Sequence, residues 1–185
     1  QITVDGEIAT KGAGSTAIWL LFQDDVGAVS GRTDTFTFAV GNGTTLTRQE
    51  GTTGQAKVGV WTHVIGVWKK TPEEIRLYIN GVEDTSSDTL NGVTMGTDTN
   101  SVNIGDDATL GGNVFNGLID DVRVYNRALS ADEIKRLYKI GATTKINKPT
   151  YSGLDSGLVG SWTFDGKDIN ATQARDVSGQ GNHGT

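Results

Sequence analysis

Apolar and polar residues alternate in the segment EEIRLYINGVED, residues 73–84, and this pattern restricts the possible folds more than any other stretch of the chain. Ile75, Leu77 and Ile79 fall on one face of a strand, because successive side chains of a strand point to opposite faces. Asn80 and Gly81 tolerate the positive φ angles that a two-residue type I′ turn requires. The segment therefore predicts a β-hairpin with one buried face.

Other short apolar runs extend this prediction to an all-β chain. Strands are predicted within residues 15–22, 34–40, 59–70, 99–107, 116–129 and 157–165. Of the 185 residues, 26 are glycine and only 2 are proline, and glycine-rich turns between short strands are typical of sandwiches and jelly rolls. Strands and helices do not alternate along the chain, so the pattern disfavours a parallel α/β fold.

One helix is predicted, at residues 130–139. Ser130 can cap its first turn, and Glu133, three positions later, completes a capping box. Ile134, Leu137 and Tyr138 would form its buried stripe. The aperiodic residues 143–156 then predict a linker, and residues 157–185 predict a strand followed by a polar, glycine-rich loop.

Charge and composition exclude several classes of function. The net charge of −6 opposes nucleic acid binding, which needs a basic surface. The absence of cysteine excludes disulfides and cysteine-ligated metals. Apolar runs fall well short of the ~20 residues of a membrane-spanning helix, so membrane insertion is not expected. Because the chain opens with Gln1 and no signal peptide precedes it, we interpret it as a processed protein, a trimmed chain or a fragment.

Three stretches together resemble one protein family. They are WTHVIGVWKKTPEEIRLYINGVE (61–83), FNGLIDDVRVYNRALSADEIKRLY (115–138) and GLVGSWTFDGKDINATQARDVSGQGNHGT (157–185). They are similar to the laminin-G-like, concanavalin A-like jelly-roll family of bacterial surface proteins, whereas residues 1–60 match only loosely. The resemblance implies a two-sheet antiparallel jelly-roll sandwich with one short C-terminal helix. It also implies an extracellular or cell-surface location, in a bacterium.

The order of these stretches is unusual for the family. A segment like 157–185 normally opens the domain, and one like 119–138 closes it. Residues 1–142 therefore resemble the rear portion of a laminin-G-like jelly roll, 143–156 a linker, and 157–185 the opening strand and loop of a repeat. Three interpretations stay open: a piece of a tandem array, a terminal strand that folds back on its own sheet as in a circular permutation, and a strand that docks on a neighbouring molecule.

The resemblance also implies a structural calcium ion between the terminal loop and the closing strand. The matching positions are Asp120, Asp176 and Asn182, with Asp165 as a further candidate, and calcium prefers such oxygen ligands. In the alternative interpretation, Asp176 and Asn182 only build the turn through hydrogen bonds to the backbone, and Asp120 makes a buried hydrogen bond.

Aromatic side chains are the candidates for contact with a sugar, because a ring can cover the apolar face of a saccharide. Trp61, Trp68 and Trp162 match strand positions of the family, and we predict that they lie in the core. Trp19 and Tyr78 remain as candidate ligand-binding residues. Tyr78 points away from Leu77 and is expected on the exposed face of its sheet.

Candidate catalytic groups do not form a convincing constellation. His63 and His183 lie far apart in the sequence, and the adjacent Asp120 and Asp121 point to opposite faces of a strand, whereas glycosidases need a facing pair of acids. We therefore predict a non-catalytic extracellular binding or adhesion module, specific for carbohydrate and stabilised by calcium. Its expected partners are a cell-surface glycan and a neighbouring repeat or subunit. The alternatives are a structural or assembly module joined by strand exchange through residues 157–185, and a carbohydrate-active enzyme.

Overall fold

A computed structural model describes residues 6–12, 17–24, 33–85, 94–106, 113–142 and 153–185. Its elements, in chain order, are β1 (Gly6–Lys11), β2 (Trp19–Asp24), β3 (Thr35–Gly41), β4 (Leu46–Glu50), β5 (Val64–Lys70), β6 (Glu73–Ile79), β7 (Val82–Asp84), β8 (Val102–Ile104), β9 (Val122–Tyr125), α1 (Ala131–Ala142), β10 (Leu158–Trp162), β11 (Ile169–Asn170) and β12 (Gln173–Ala174). Three predicted segments lie partly outside the described residues: residues 15 and 16 of the first predicted strand, residue 107 of the strand predicted at 99–107, and residues 143–152 of the predicted linker.

Two antiparallel sheets face each other across the main core. The first has the strand order β4-β3-β2-β1-β8, and the second has the order β5-β6-β7. Alternate residues of β3 and β6 point into the space between the sheets, as their period-two patterns predict. The buried members of this core are Phe36, Phe38, Val40, Ala56, Ile75 and Leu77. The predicted antiparallel jelly-roll sandwich is therefore confirmed.

The hairpin of β6 and β7 has the predicted turn. Asn80 and Gly81 have φ angles of 52° and 77°, and Ile79 pairs with Val82 on the opposite strand. Since both central residues have positive φ, the turn has the type I′ character that an Asn-Gly pair favours. We call this end of the second sheet the turn end.

The second sheet is covered on its outer face as well, by helix α1. Tyr78 and Val67 pack there with Ile134 and Leu137 of the helix in a second apolar cluster. Tyr78 is only 3% exposed, and its hydroxyl donates a hydrogen bond of 3.2 Å to Glu83. The expectation that Tyr78 lies on an exposed face is wrong. Helix α1 packs against that face, and the alternating pattern of β6 does not reveal that the face is covered.

The helix begins with the predicted capping box. The backbone N–H of Ser130 donates to Glu133 at 2.8 Å, and the backbone N–H of Glu133 donates to the Ser130 hydroxyl at 3.3 Å. Arg127 donates two further hydrogen bonds, of 2.7 and 3.0 Å, to the same carboxylate. The Arg127 guanidinium, followed by the Ser130 N–H, lowers the pKa of Glu133 to about 2. Glu133 therefore joins the start of the helix to the chain that follows β9.

The terminal segment pairs with β9 of the same chain. Strand β10 runs antiparallel to β9, from Leu158 opposite Tyr125 to Trp162 opposite Val122. The backbone N–H of Val177 then donates to the Ser161 carbonyl at 2.9 Å, so the terminal loop folds along β10. Among the described residues, no helix has the length and apolar character needed to cross a membrane.

Candidate functional site

The loop between β4 and β5, residues 51–63, carries an exposed tryptophan. Trp61 is 65% exposed, with Val58 and Val60 exposed beside it. Trp162 is only 7% exposed, as predicted for a core residue. The core position predicted for Trp61 is wrong, because Trp61 lies three residues before β5 begins and so outside the space between the sheets.

The other tryptophans lie against the main core. Trp19 and Trp68 are partly buried and pack on the cluster that joins the two sheets. The core position predicted for Trp68 is therefore confirmed. Trp19 faces the sandwich interior, which leaves it less ring surface for a ligand than Trp61 has.

Both ends of the 51–63 loop are attached to the second sheet. Near its start, the Gln55 side-chain amide donates a hydrogen bond of 2.6 Å to Asp84 of β7. At its end, the His63 N–H donates to the Asn80 side chain at 3.0 Å, and the Asn80 N–H donates to the His63 carbonyl at 2.8 Å. The bonds between His63 and Asn80 attach the end of the loop to the turn end of the second sheet. Trp61 lies two residues before His63 and is therefore held near this end.

A cleft of about 360 Å³ lies between the start of this loop and β7. Its polar lining residues are Thr52, Gln55, Glu83, Asp84 and Thr85. Ile79 and Val82 supply its apolar surface. Among the residues that the structure describes, this lining contains two carboxylates and neither lysine nor arginine. The cleft is therefore suited to groups that donate hydrogen bonds and is unfavourable for anions.

His63 is a half-buried titratable group at the base of the loop. Its ring centroid lies 5.8 Å from that of Tyr138, and its Nδ1 atom has no hydrogen-bond partner in the described part of the chain. Burial, together with the positive charge of Arg123, lowers the pKa of His63, although the negative charge of Asp121 acts in the opposite direction. The folded protein therefore favours the neutral imidazole.

This shift predicts that the fold loses stability as the pH falls below about 6.5. There the unfolded chain protonates His63 before the folded chain does, and stability falls with pH wherever the unfolded state binds more protons. The test is urea denaturation of the wild type and of His63→Phe, which keeps a ring against Tyr138, at pH values from about 5 to 7.5. The variant should show the weaker pH dependence, and equal slopes for the two proteins would contradict the prediction.

The candidate metal ligand Asp176 is 4% exposed and accepts four hydrogen bonds. Its Oδ1 atom accepts from the backbone N–H groups of Ser161 at 3.0 Å and Ser178 at 2.8 Å. Its Oδ2 atom accepts from the Ser178 hydroxyl at 2.8 Å and the Asn182 N–H at 2.9 Å. Burial alone would raise the pKa of Asp176, but the bonds from Ser178, Ser161 and Asn182 outweigh it and lower that pKa.

These four donors occupy the acceptor sites of a carboxylate, as the turn-building alternative requires. A calcium ion at Asp176 would therefore have to replace at least one of them. The structure brings Asn182 to Asp176 through this network. Its side-chain amide also donates to the Val159 carbonyl at 2.7 Å, which ties the loop to β10.

The other two candidate ligands are exposed. Asp120 accepts the Asp121 N–H at 2.8 Å, and its exposure means that the expected buried hydrogen bond is wrong. Asp165 forms an exposed ion pair of 3.3 Å with Lys167. Within the described ranges, no three histidine, cysteine, aspartate or glutamate residues come together in a way that could hold a metal. Calcium at Asp120, Asp176, Asn182 and Asp165 stays a prediction.

The facing antiparallel sheets and the loops at their ends define a β-sandwich of the lectin-like class. A family profile described as the concanavalin A-like lectin/glucanases superfamily matches residues 3–135. The chain therefore belongs to this superfamily, which confirms the resemblance found in the sequence.

One solved structure has a similar fold. It is a crystal structure from Bacteroides ovatus, described as a "putative carbohydrate binding protein", which aligns with 99% of this chain at a TM-score of 0.73 and 18% sequence identity. The chain covers 48% of that protein, about half its length. No curated protein matches the chain.

Proposed function

We propose that this chain is a non-catalytic carbohydrate-binding module that acts outside the cell or at the cell surface and is stabilised by calcium. The exposed ring of Trp61 is the observation that carries the binding proposal. A tryptophan held on an anchored loop presents a rigid, flat, apolar surface, and such a surface can stack on the C–H face of a sugar ring. The lectin members of the superfamily and the Bacteroides ovatus protein support this proposal.

The arrangement of the acids supports a role without catalysis. Glu83 and Asp84 are adjacent on β7, so their side chains leave opposite faces of the strand. Glu83 accepts hydrogen bonds from Arg76 and Tyr78 on one side, and Asp84 binds the 51–63 loop on the other. A glycosidase needs two carboxyl groups that face one glycosidic bond. This pair does not have that geometry.

The proposal predicts retention of the chain on at least one neutral polysaccharide. The experiment is affinity electrophoresis or a glycan panel with the purified chain, using matched neutral and acidic polysaccharides. Binding should saturate, and incubation should release no reducing sugar. Failure to bind any neutral glycan in the panel would contradict the binding proposal, and steady release of reducing ends would contradict its non-catalytic part.

Assembly by strand exchange is the alternative proposal, and the pairing of β10 with β9 supports it. The same antiparallel register could form between two copies, with β10 of one chain on β9 of the other. Size-exclusion chromatography with light scattering over a range of concentrations tests this alternative. A dimer that disappears when residues 157–185 are deleted would support it, and a monomer at every concentration would exclude it.

A further inference from the structure

We infer that the cleft beside the 51–63 loop binds a second ring of the glycan that stacks on Trp61, and that this glycan is neutral. The inference rests on the proposed function and adds a second subsite and a substrate class to it.

The positions of the two features support a shared ligand. Trp61 precedes β5, and Val82 of the cleft lies on β7, with β6 between them. Val64 and Val82 both pair with Ile79, one on each side, at the turn end of the sheet. The 51–63 loop, which carries Trp61, also supplies part of the cleft lining. Neighbouring strands lie ~4.8 Å apart, so β5 and β7 are separated by about 10 Å at this end of the sheet. A glycan that stacks on Trp61 and extends along the loop would therefore meet the cleft.

The size and lining of the cleft fit a sugar ring. Its volume of about 360 Å³ lies within the range of small-molecule sites and is sufficient for one pyranose ring. The exposed side chain of Val82 can cover an apolar sugar face. The carboxylates and hydroxyls around it can bind the hydroxyl groups at the ring edge.

The amide of Gln55 holds the loop side of the cleft in place. Its nitrogen donates a hydrogen bond of 2.6 Å to Asp84. The backbone N–H of Thr52 donates to the same carboxylate at 3.0 Å. This wall of the cleft is therefore fixed before a ligand binds, which lowers the ordering cost of binding.

The charges of the cleft select against acidic sugars. Asp84 faces the loop, and Glu83 faces Arg76, which lies 3.2 Å from it. The described residues of the lining include no lysine or arginine. A uronic acid, sulfate or sialic acid in the cleft would place a further negative charge beside Glu83 and Asp84, and the net charge of −6 adds to the repulsion. A neutral ring avoids this penalty.

The experiment measures affinity against ligand length. The neutral glycan that binds best in the panel is prepared as its monosaccharide and as a series of oligosaccharides, and titrated into the wild type, Trp61→Ala and Thr85→Phe by calorimetry. Thr85 is exposed at the edge of the cleft, so phenylalanine there should fill the cleft while the fold is kept. Thr185→Phe introduces the same ring at the end of the chain and serves as the control.

We expect wild type and Thr185→Phe to bind the disaccharide at least tenfold more tightly than the monosaccharide. Thr85→Phe should lose this gain while keeping its affinity for the monosaccharide, and Trp61→Ala should bind both ligands more weakly. A gain with length that persists in Thr85→Phe would overturn the cleft subsite and leave the proposed function intact. Tighter binding of an acidic oligosaccharide would overturn the neutral class, and absence of glycan binding by the wild type would overturn both proposals.

Discussion

Replacement of Asp176 by alanine is expected to lower the free energy of unfolding by about 3 kcal/mol, even in the presence of a calcium chelator. The change leaves the buried N–H of Ser161 and the partly buried N–H groups of Ser178 and Asn182 without their acceptor. Hydrogen bonds to a charged group contribute roughly 1.5–3 kcal/mol each, and unpaired buried donors add to the loss. The terminal loop should then separate from β10.

Asp165→Ala is the matched control for this change. Asp165 belongs to the same terminal segment, but it is exposed and its ion pair with Lys167 is open to water. Exposed ion pairs contribute little, so this variant should lie within about 0.5 kcal/mol of the wild type. Urea denaturation of the three proteins in chelator is the measurement. Equal stability of Asp176→Ala and Asp165→Ala would show that the hydrogen-bond network does not hold the loop.

The same proteins, together with Asp120→Ala, test the calcium proposal when excess calcium replaces the chelator. An ion that binds only the folded state adds about 2.7 kcal/mol at one hundred times its dissociation constant. The wild type should gain this stability, and Asp120→Ala and Asp176→Ala should not. If calcium leaves the stability of the wild type unchanged, calcium does not stabilise this fold and Asp176 serves the turn alone.

Trp61→Ala is expected to weaken glycan binding by about 30-fold, which corresponds to about 2 kcal/mol. The exposed indole supplies the largest flat apolar surface of the 51–63 loop, so its loss removes the stacking contact. Stability to urea should change by less than about 0.5 kcal/mol, because an exposed side chain contributes little to the core. The measurement is calorimetric titration with the best neutral oligosaccharide.

Leu118→Ala separates stacking at Trp61 from a general loss of apolar surface. Leu118 is 80% exposed and follows the short stretch that pairs with β1, away from the 51–63 loop in the sequence. This variant should bind as the wild type does. If Trp61→Ala and Leu118→Ala bind equally well, Trp61 is not the contact residue.

Locally determined features could be predicted from the sequence. The turn at Asn80 and Gly81 follows from the φ angles that these two residues tolerate. The start of α1 follows from Ser130 and Glu133, which satisfy each other's backbone N–H groups within one turn. Neither feature depends on distant parts of the chain, so a short stretch of sequence was enough.

Features that depend on the packing of distant segments could not be predicted in the same way. Tyr78 alternates correctly with Leu77, but the pattern does not reveal that a helix formed more than fifty residues later covers its face. Trp61 continues the apolar pattern of β5, yet pairing stops at Val64, and the residues before it form a loop. Periodicity identifies the two faces of a strand and leaves open what covers each face.

The cleft and the exposed loop were missed for a related reason. Thr52 and Gln55 reach Asp84 across about thirty residues of sequence, and no local motif signals that contact. The sequence KVGVW, residues 57–61, is compatible with a loop as well as with a strand, because a glycine interrupts its apolar residues. Because residues 59–70 were interpreted as one long strand, the exposure of Val58, Val60 and Trp61 was not predicted.

Nuclear magnetic resonance of the indole N–H groups tests most directly the central claim that a neutral glycan binds at Trp61. The chain has four tryptophans, so four indole signals are expected, and Trp61→Phe assigns one of them. The Trp162 indole already donates a hydrogen bond of 3.0 Å to the Asn182 carbonyl and reports on the terminal loop. During titration with the oligosaccharide, the Trp61 signal should shift and saturate while the Trp162 signal stays in place. Saturable binding that leaves the Trp61 signal unmoved would contradict the account.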